Sequence, residues 1–137
     1  MKKKILIFSL ALFFSLLPMA VFTSCDKDTN CYLDVNVVDA GTVNPISGEI
    51  IAGPSIPGAE VEVYHDGGTV HANGVTDGDG IYSTYFDAPA IVKIRARLQL
   101  YTPTGQSAGY REGTTSVRLI EGETITAKVT LSSQVQY

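Results

Sequence analysis

The chain has 137 residues and carries 10 Lys and Arg against 14 Asp and Glu, with two His, two Cys and no Trp. Its length suits one small domain. No run of Lys or Arg occurs after residue 4, so the clustered cations that phosphate-backbone binding relies on are missing, which argues against a nucleic-acid partner.

The first element is a targeting pattern. Lys2 to Lys4 form a positive leading region, Ile5 to Leu17 an apolar stretch interrupted only by Ser9 and Ser15, and Phe22-Thr23-Ser24-Cys25 follows Pro18. The order predicts a signal segment over residues 1–24 that is removed. It resembles a bacterial lipoprotein signal, in which the peptidase cuts before a cysteine preceded by a small residue. That cysteine then carries a thioether-linked diacylglycerol. Ser24 and Cys25 stand at those two positions, with Phe22 where leucine is usual. The alternative is an uncleaved anchor, because Ile5 to Ser24 is uncharged and could span ~30 Å of hydrocarbon at 1.5 Å per residue. Against it, the apolar core stops at Pro18 and small polar residues lead into the cysteine.

Cleavage removes three cations and no acid, leaving seven Lys and Arg against 14 Asp and Glu and a formal charge of −7. Residues 25–31 then form a flexible lipidated leader that ties the protein to a membrane through Cys25. Asp26-Lys27-Asp28 resembles the acidic leader of surface-exposed lipoproteins in Bacteroidota, which implies the outer face of the outer membrane. In enterobacterial-type sorting an Asp directly after the lipidated cysteine marks retention at the periplasm-facing inner membrane instead. A thioether at Cys25 leaves Cys31 as a lone thiol, either tucked at the start of the first strand as a small apolar residue or free to pair between molecules.

From residue 32 onward the pattern is that of strands. Apolar residues do not recur at helical spacing over three turns, whereas alternation with period two does. Leu33, Val35 and Val37 alternate with Asp34 and Asn36; Val61 and Val63 alternate with Glu60, Glu62 and Tyr64. Val92, Ile94, Ala96, Leu98 and Leu100 interleave with Lys93, Arg95, Arg97 and Gln99. Val117 and Leu119, then Ile125, Ala127, Val129 and Leu131, mark the last two strands. Shorter candidates are 48–52, 69–75 and 81–86. Turn signals stand at Asp66-Gly67-Gly68, Asp77-Gly78-Asp79-Gly80, Pro103-Thr104-Gly105 and Glu121-Gly122-Glu123. Seven or eight strands, each with one wet face, predict an all-β sandwich over residues 32–133.

Within that pattern Pro57-Gly58-Ala59-x-Val61-x-Val63, Thr76-Asp77-x-x-Gly80-x-Tyr82, Gly109-Tyr110, Val117, Gly122-x-Thr124 and Val129-x-Leu131 resemble the carboxypeptidase regulatory-like domain. The likeness covers roughly residues 32–132. It implies a transthyretin-like, prealbumin-like β-sandwich and a non-catalytic accessory or structural role, and such modules recur on Bacteroidota surface proteins and transport receptors. The chain departs from that pattern at Ala88-Pro89-Ala90-Ile91 and in the longer connection from Asn44 to Ile56. Transthyretin-like hydrolases of purine degradation end in Tyr-Arg-Gly-Ser, whereas this chain reads Gln134-Val135-Gln136-Tyr137.

Chemistry-bearing residues are few. His65 and His71 with Asp66 suggest a metal set, but a two-residue Gly67-Gly68 turn would pair Tyr64 with His71 and set the histidines on opposite faces. A three-residue loop would oppose them but would put Val63 against Asn73 and spoil the apolar face. Asn73, Asp77 and Asp79 have the odd spacing of a calcium loop without its later bidentate Glu, and a hairpin turn accounts for them. No zinc spacing and no nucleophile motif is present, so neither metal nor other cofactor is expected.

The remaining candidate is a cationic ladder. Lys93, Arg95 and Arg97 are three of the seven cations left after cleavage, and alternation puts them on one strand face at steps of about 6.6 Å, followed by Tyr101. Such a face fits an anionic glycan or an acidic partner segment; the competing expectation is cross-strand pairing with Glu60 and Glu62 or with Glu121 and Glu123. Tyr64, Tyr85 and Tyr110 also fall at outward or loop positions. The chain thus reads as a non-enzymatic, lipid-anchored surface sandwich that binds a protein or glycan in an outer-membrane complex, or alternatively as a structural subunit joined by strand pairing.

Overall fold

The computed structural model describes residues 27–65, 67 and 70–137. The signal segment 1–24, Cys25, Asp26 and Asp66 lie outside the described residues. No helix among the described residues is long and apolar enough to cross a membrane.

Alternation produces the expected strands. In β1 (Cys31–Val38) the side chains of Cys31, Leu33, Val35 and Val37 are fully buried, and Tyr32, Asp34 and Asn36 between them are half-buried. β1 therefore begins at Cys31, inside what the sequence assigns to the flexible leader, and the cysteine is a core residue. Desolvation raises its thiol above the usual range, and the nearby Glu121 and Asp28 carboxylates add to that.

β1 is the centre of a three-stranded sheet. It pairs antiparallel with β6 (Ile81–Phe86) from Cys31↔Phe86 to Asn36↔Ile81, and parallel with β9 (Thr124–Thr130) from Tyr32↔Thr124 to Val38↔Thr130. A second sheet has the order β5-β4-β7-β8, comprising β5 (Val70–Val75), β4 (Glu60–His65), β7 (Ile91–Tyr101) and β8 (Ser107–Arg118). Val61, Val63, Val92, Ile94 and Ala96 from this sheet meet Leu33, Val35, Val37, Ala127 and Val129 from the first in one apolar cluster, closed by Leu119 and Leu131. Each fully buried Val, Leu or Ile contributes about 1.5 to 3 kcal/mol by leaving water. The described residues are all-β, with two main sheets in a sandwich-like arrangement.

β8 runs much further than Val117 and Leu119 suggested. Opposite Ile94, Ala96 and Leu98 of β7 it places Thr115, Gly113 and Arg111, so its inward face lacks the large apolar residues that betray a strand. A Cβ on Gly113 would meet the carbonyl oxygen of Thr130, which shows how closely β8 and the end of β9 approach. Ser132 N donates to Glu112 O at 3.0 Å, and Tyr110 and Gln136 exchange both backbone hydrogen bonds at 2.8 and 2.9 Å. This flank of the sandwich is closed by backbone contact.

Two of the segments that carry the resemblance, at 57–63 and 76–82, meet. Thr76 is buried; its Oγ1 donates to Ile56 O at 2.8 Å and accepts from Ala59 N at 2.9 Å, while Gly58 N donates to Thr76 O at 3.0 Å. The 77–80 turn is not a hairpin, because β5 and β6 belong to different sheets. It is a crossover, tightened by the Asp77 carboxylate accepting from Asp79 N and Ile81 N at 2.9 and 3.0 Å.

The long connection after β1 holds a ribbon the sequence did not fully disclose. β2 (Thr42–Val43) and β3 (Ile50–Ile51) pair antiparallel, Thr42↔Ile51 and Val43↔Ile50. Segment 54–56 then returns along β1, with Ile56 N donating to Val37 O at 2.7 Å. The leader lies at the other end of β1, where Gly122 N donates to Asn30 O and Lys27 pairs with Glu121 at 3.0 Å. Eight residues of β1 separate the two ends by roughly 25 Å.

Candidate functional site

Three surfaces carry the residues singled out above. The first is the wet face of β7, where register sets Arg97 against Glu60 and Glu112, Arg95 against Glu62 and Thr114, and Lys93 against Tyr64 and Ser116. Arg95 Nε donates to Glu62 Oε2 at 2.9 Å, and its Nη2 reaches the same oxygen; this hydrogen bond raises the guanidinium further above its already high range. Arg97 Nη2 lies 3.2 Å from Glu112 Oε2, and its guanidinium carbon sits 4.3 Å from the centre of the Tyr110 ring. Arg95 and Arg97 are thus engaged within the sheet. Glu62 was an expected partner. Glu112 was not, because Val117 and Leu119 mark only the end of its strand, and Glu121 pairs with Lys27 instead. Tyr101 ends the strand in an exposed position opposite Ser107.

The second surface corrects the expectation for the histidines. The β4–β5 register holds from Glu60↔Val75 to Val63↔Ala72, as the apolar face demands, but shifts between Val63 and Tyr64 so that Tyr64 faces Val70. The shift leaves His71 as the extra residue. Instead of lying on opposite faces, the His65 and His71 rings meet edge to face with centroids 4.2 Å apart. Together with Tyr85, Phe86, Asp87 and Pro89 they line an open groove of about 450 Å³ at the leader end. Among the described residues no three of His, Cys, Asp and Glu form a group that could hold a metal ion. The Asp77 carboxylate is committed to the crossover turn, where it accepts from the backbone N–H groups of Asp79 and Ile81.

The third surface is the β2–β3 ribbon. Val43, Ile46, Ile50 and Ile51 are 62%, 95%, 73% and 55% exposed. Adjacent strand residues point to opposite faces, so Ile50 and Ile51 show that the ribbon is wet on both sides. Its turn is held by Asn44, whose carbonyl accepts from Gly48 N and whose side chain accepts from Ile46 N, both at 2.9 Å. The only charged side chain from 41 to 53 is Glu49.

No protein-family model matches the chain, and no curated protein matches it.

The ladder was visible in the sequence because three cations alternate in one strand. The ribbon was concealed by its length, two residues per strand. The histidine contact depends on a register shift, for which alternation carries no signal.

Proposed function

We propose that the protein is a non-enzymatic, lipid-anchored surface module that docks a protein partner through the end of the sandwich remote from its leader. The observation that carries this reading is the β2–β3 ribbon, four large apolar side chains standing in water on a two-stranded element. Several large apolar side chains exposed together on one small element are characteristic of an interaction site, and an isolated two-stranded ribbon gains stability when something packs on it. A lipid on Cys25 holds the leader end at the membrane, so the ribbon points away from it. The resemblance to the carboxypeptidase regulatory-like domain, with its accessory role on Bacteroidota envelopes, supports the same address, the outer membrane facing outward. The β7 ladder supports a glycan site less well, since Arg95 and Arg97 already meet Glu62 and Glu112.

The alternative reading is a structural subunit joined to its neighbours by strand pairing. It is favoured by the exposed, uncharged edge strand β5 and by the free edges of the ribbon itself. Co-purification from solubilised envelopes separates the two. The docking reading expects a discrete protein of different sequence to accompany the wild type and to be lost when Ile46, Ile50 and Ile51 are changed together to Ser. Ladders of the chain itself, unaffected by those changes, would replace it with the structural reading.

A further inference from the structure

The only two histidines of the chain are far enough apart in sequence to have gone separate ways, yet the fold brings them into contact. The contact depends on the β4–β5 register shift, which moves His71 out of the place opposite Tyr64 that a regular ladder would give it. Bulges of this sort commonly re-aim a side chain at a functional position. We propose that His65 and His71 form a two-imidazole site for a divalent ion of the zinc, nickel and copper class, with water completing the coordination.

Three features carry this. Imidazole is the ligand type those ions accept. Two imidazoles bound side by side to one ion, at about 2.1 Å from each nitrogen, have ring centres roughly 4.5 to 5 Å apart. The observed 4.2 Å is within an ångström of that, and the terminal torsions about which the perpendicular rings would turn are soft. Finally, His71 is exposed and His65 half-buried at the wall of an open groove, so an ion can enter and keep water on its free positions. Among the described lining residues Asp87 is the one acid beside the two imidazoles. Imidazole ligands favour these borderline ions over the hard, oxygen-seeking Mg²⁺ and Ca²⁺.

The test uses the purified full chain in detergent. Because there are two histidines, the imidazole C–H proton resonances form two sets, and both must shift together, saturating at one equivalent of Zn²⁺, with no response to Mg²⁺. In calorimetric titration with Ni²⁺ or Cu²⁺, His65→Gln and His71→Gln should each weaken binding by tenfold or more, while the far-ultraviolet circular dichroism of His71→Gln, an exposed position, stays that of the wild type. A single shifting histidine, binding that survives in both variants, or an equal response to Mg²⁺ would overturn the proposal.

Discussion

Arg111 and Asp39 join the two sheets at the end of the sandwich where the ribbon begins. Arg111 enters from the inward face of β8, its Nε donating to Ser132 O at 2.6 Å and its Nη2 to Asp39 Oδ1. Asp39 follows β1 directly and also accepts from Ala40 N at 2.7 Å. One guanidinium thereby holds the chain just beyond β1 and just beyond β9.

That clasp predicts a pH dependence. The hydrogen bond from Arg111 holds the Asp39 carboxyl below its ordinary range, against an opposing effect of partial burial. A carboxylate depressed in the folded state contributes stability that is present above its unfolded pKa and lost as pH falls through its folded one. Asp39→Asn should therefore destabilise the protein at pH 7, by about 1 kcal/mol since the group is partly exposed, and the deficit should shrink toward acid pH. Denaturant titrations of both proteins at neutral and acid pH check it; a pH-independent deficit would refute the linkage. Arg111→Met, which keeps the apolar stem, should lose about 1 to 3 kcal/mol at pH 7.

Two glycines separate backbone strain from crowding. Gly80 and Gly105 both have positive φ, 75° and 81°, so any side chain at either is strained by about 1 kcal/mol. Around Gly105 there is open space, whereas a Cβ on Gly80 would meet Ser55 Cβ at 2.7 Å and Ile56 N at 2.8 Å. Gly80→Ala should thus cost clearly more than Gly105→Ala, with thermal melts as the readout. Equal losses would mean that the crossover turn yields freely.

The β7 ladder should behave as structure. Changing Lys93, Arg95 and Arg97 together to Gln removes the Arg95–Glu62 and Arg97–Glu112 pairs, each half-exposed, and should lower stability by about 0.2 to 1 kcal/mol per pair. Binding to the envelope partner should persist. Loss of a salt-sensitive interaction with stability intact would restore the ladder as a binding face.

The sequence disclosed those parts of the fold whose inward residues are large and apolar. β1, β7 and β9 announced themselves by Leu33, Val35, Ile94 and Val129, all buried as alternation requires. Val117 marks only the end of β8; the rest is hidden because its inward positions hold Gly113, Arg111 and Thr115, which also conceals Glu112 as an ion-pair partner. A regular register keeps the two histidines apart, and the register is regular only as far as Val63 and Ala72. The crossover at Asp77 to Gly80 reads like a hairpin because both kinds of turn need the same Asp and Gly; which sheet each flanking strand joins is decided by packing far along the chain.

Lipid attachment is tested at one residue. If Cys25 carries the lipid, Cys25→Ala should leave an uncleaved precursor and abolish metabolic labelling with palmitate. Mature-sized protein without label from the wild-type gene would refute the anchor.

Site-specific photocrosslinking in living cells tests whether the ribbon end docks a protein partner. A photoreactive residue at Ile46, the most exposed apolar side chain of the ribbon, should give one discrete heavier adduct with a protein of different sequence. The same probe at Lys128, exposed on β9, should give none. No adduct from position 46, or identical adducts from both positions, would contradict the account.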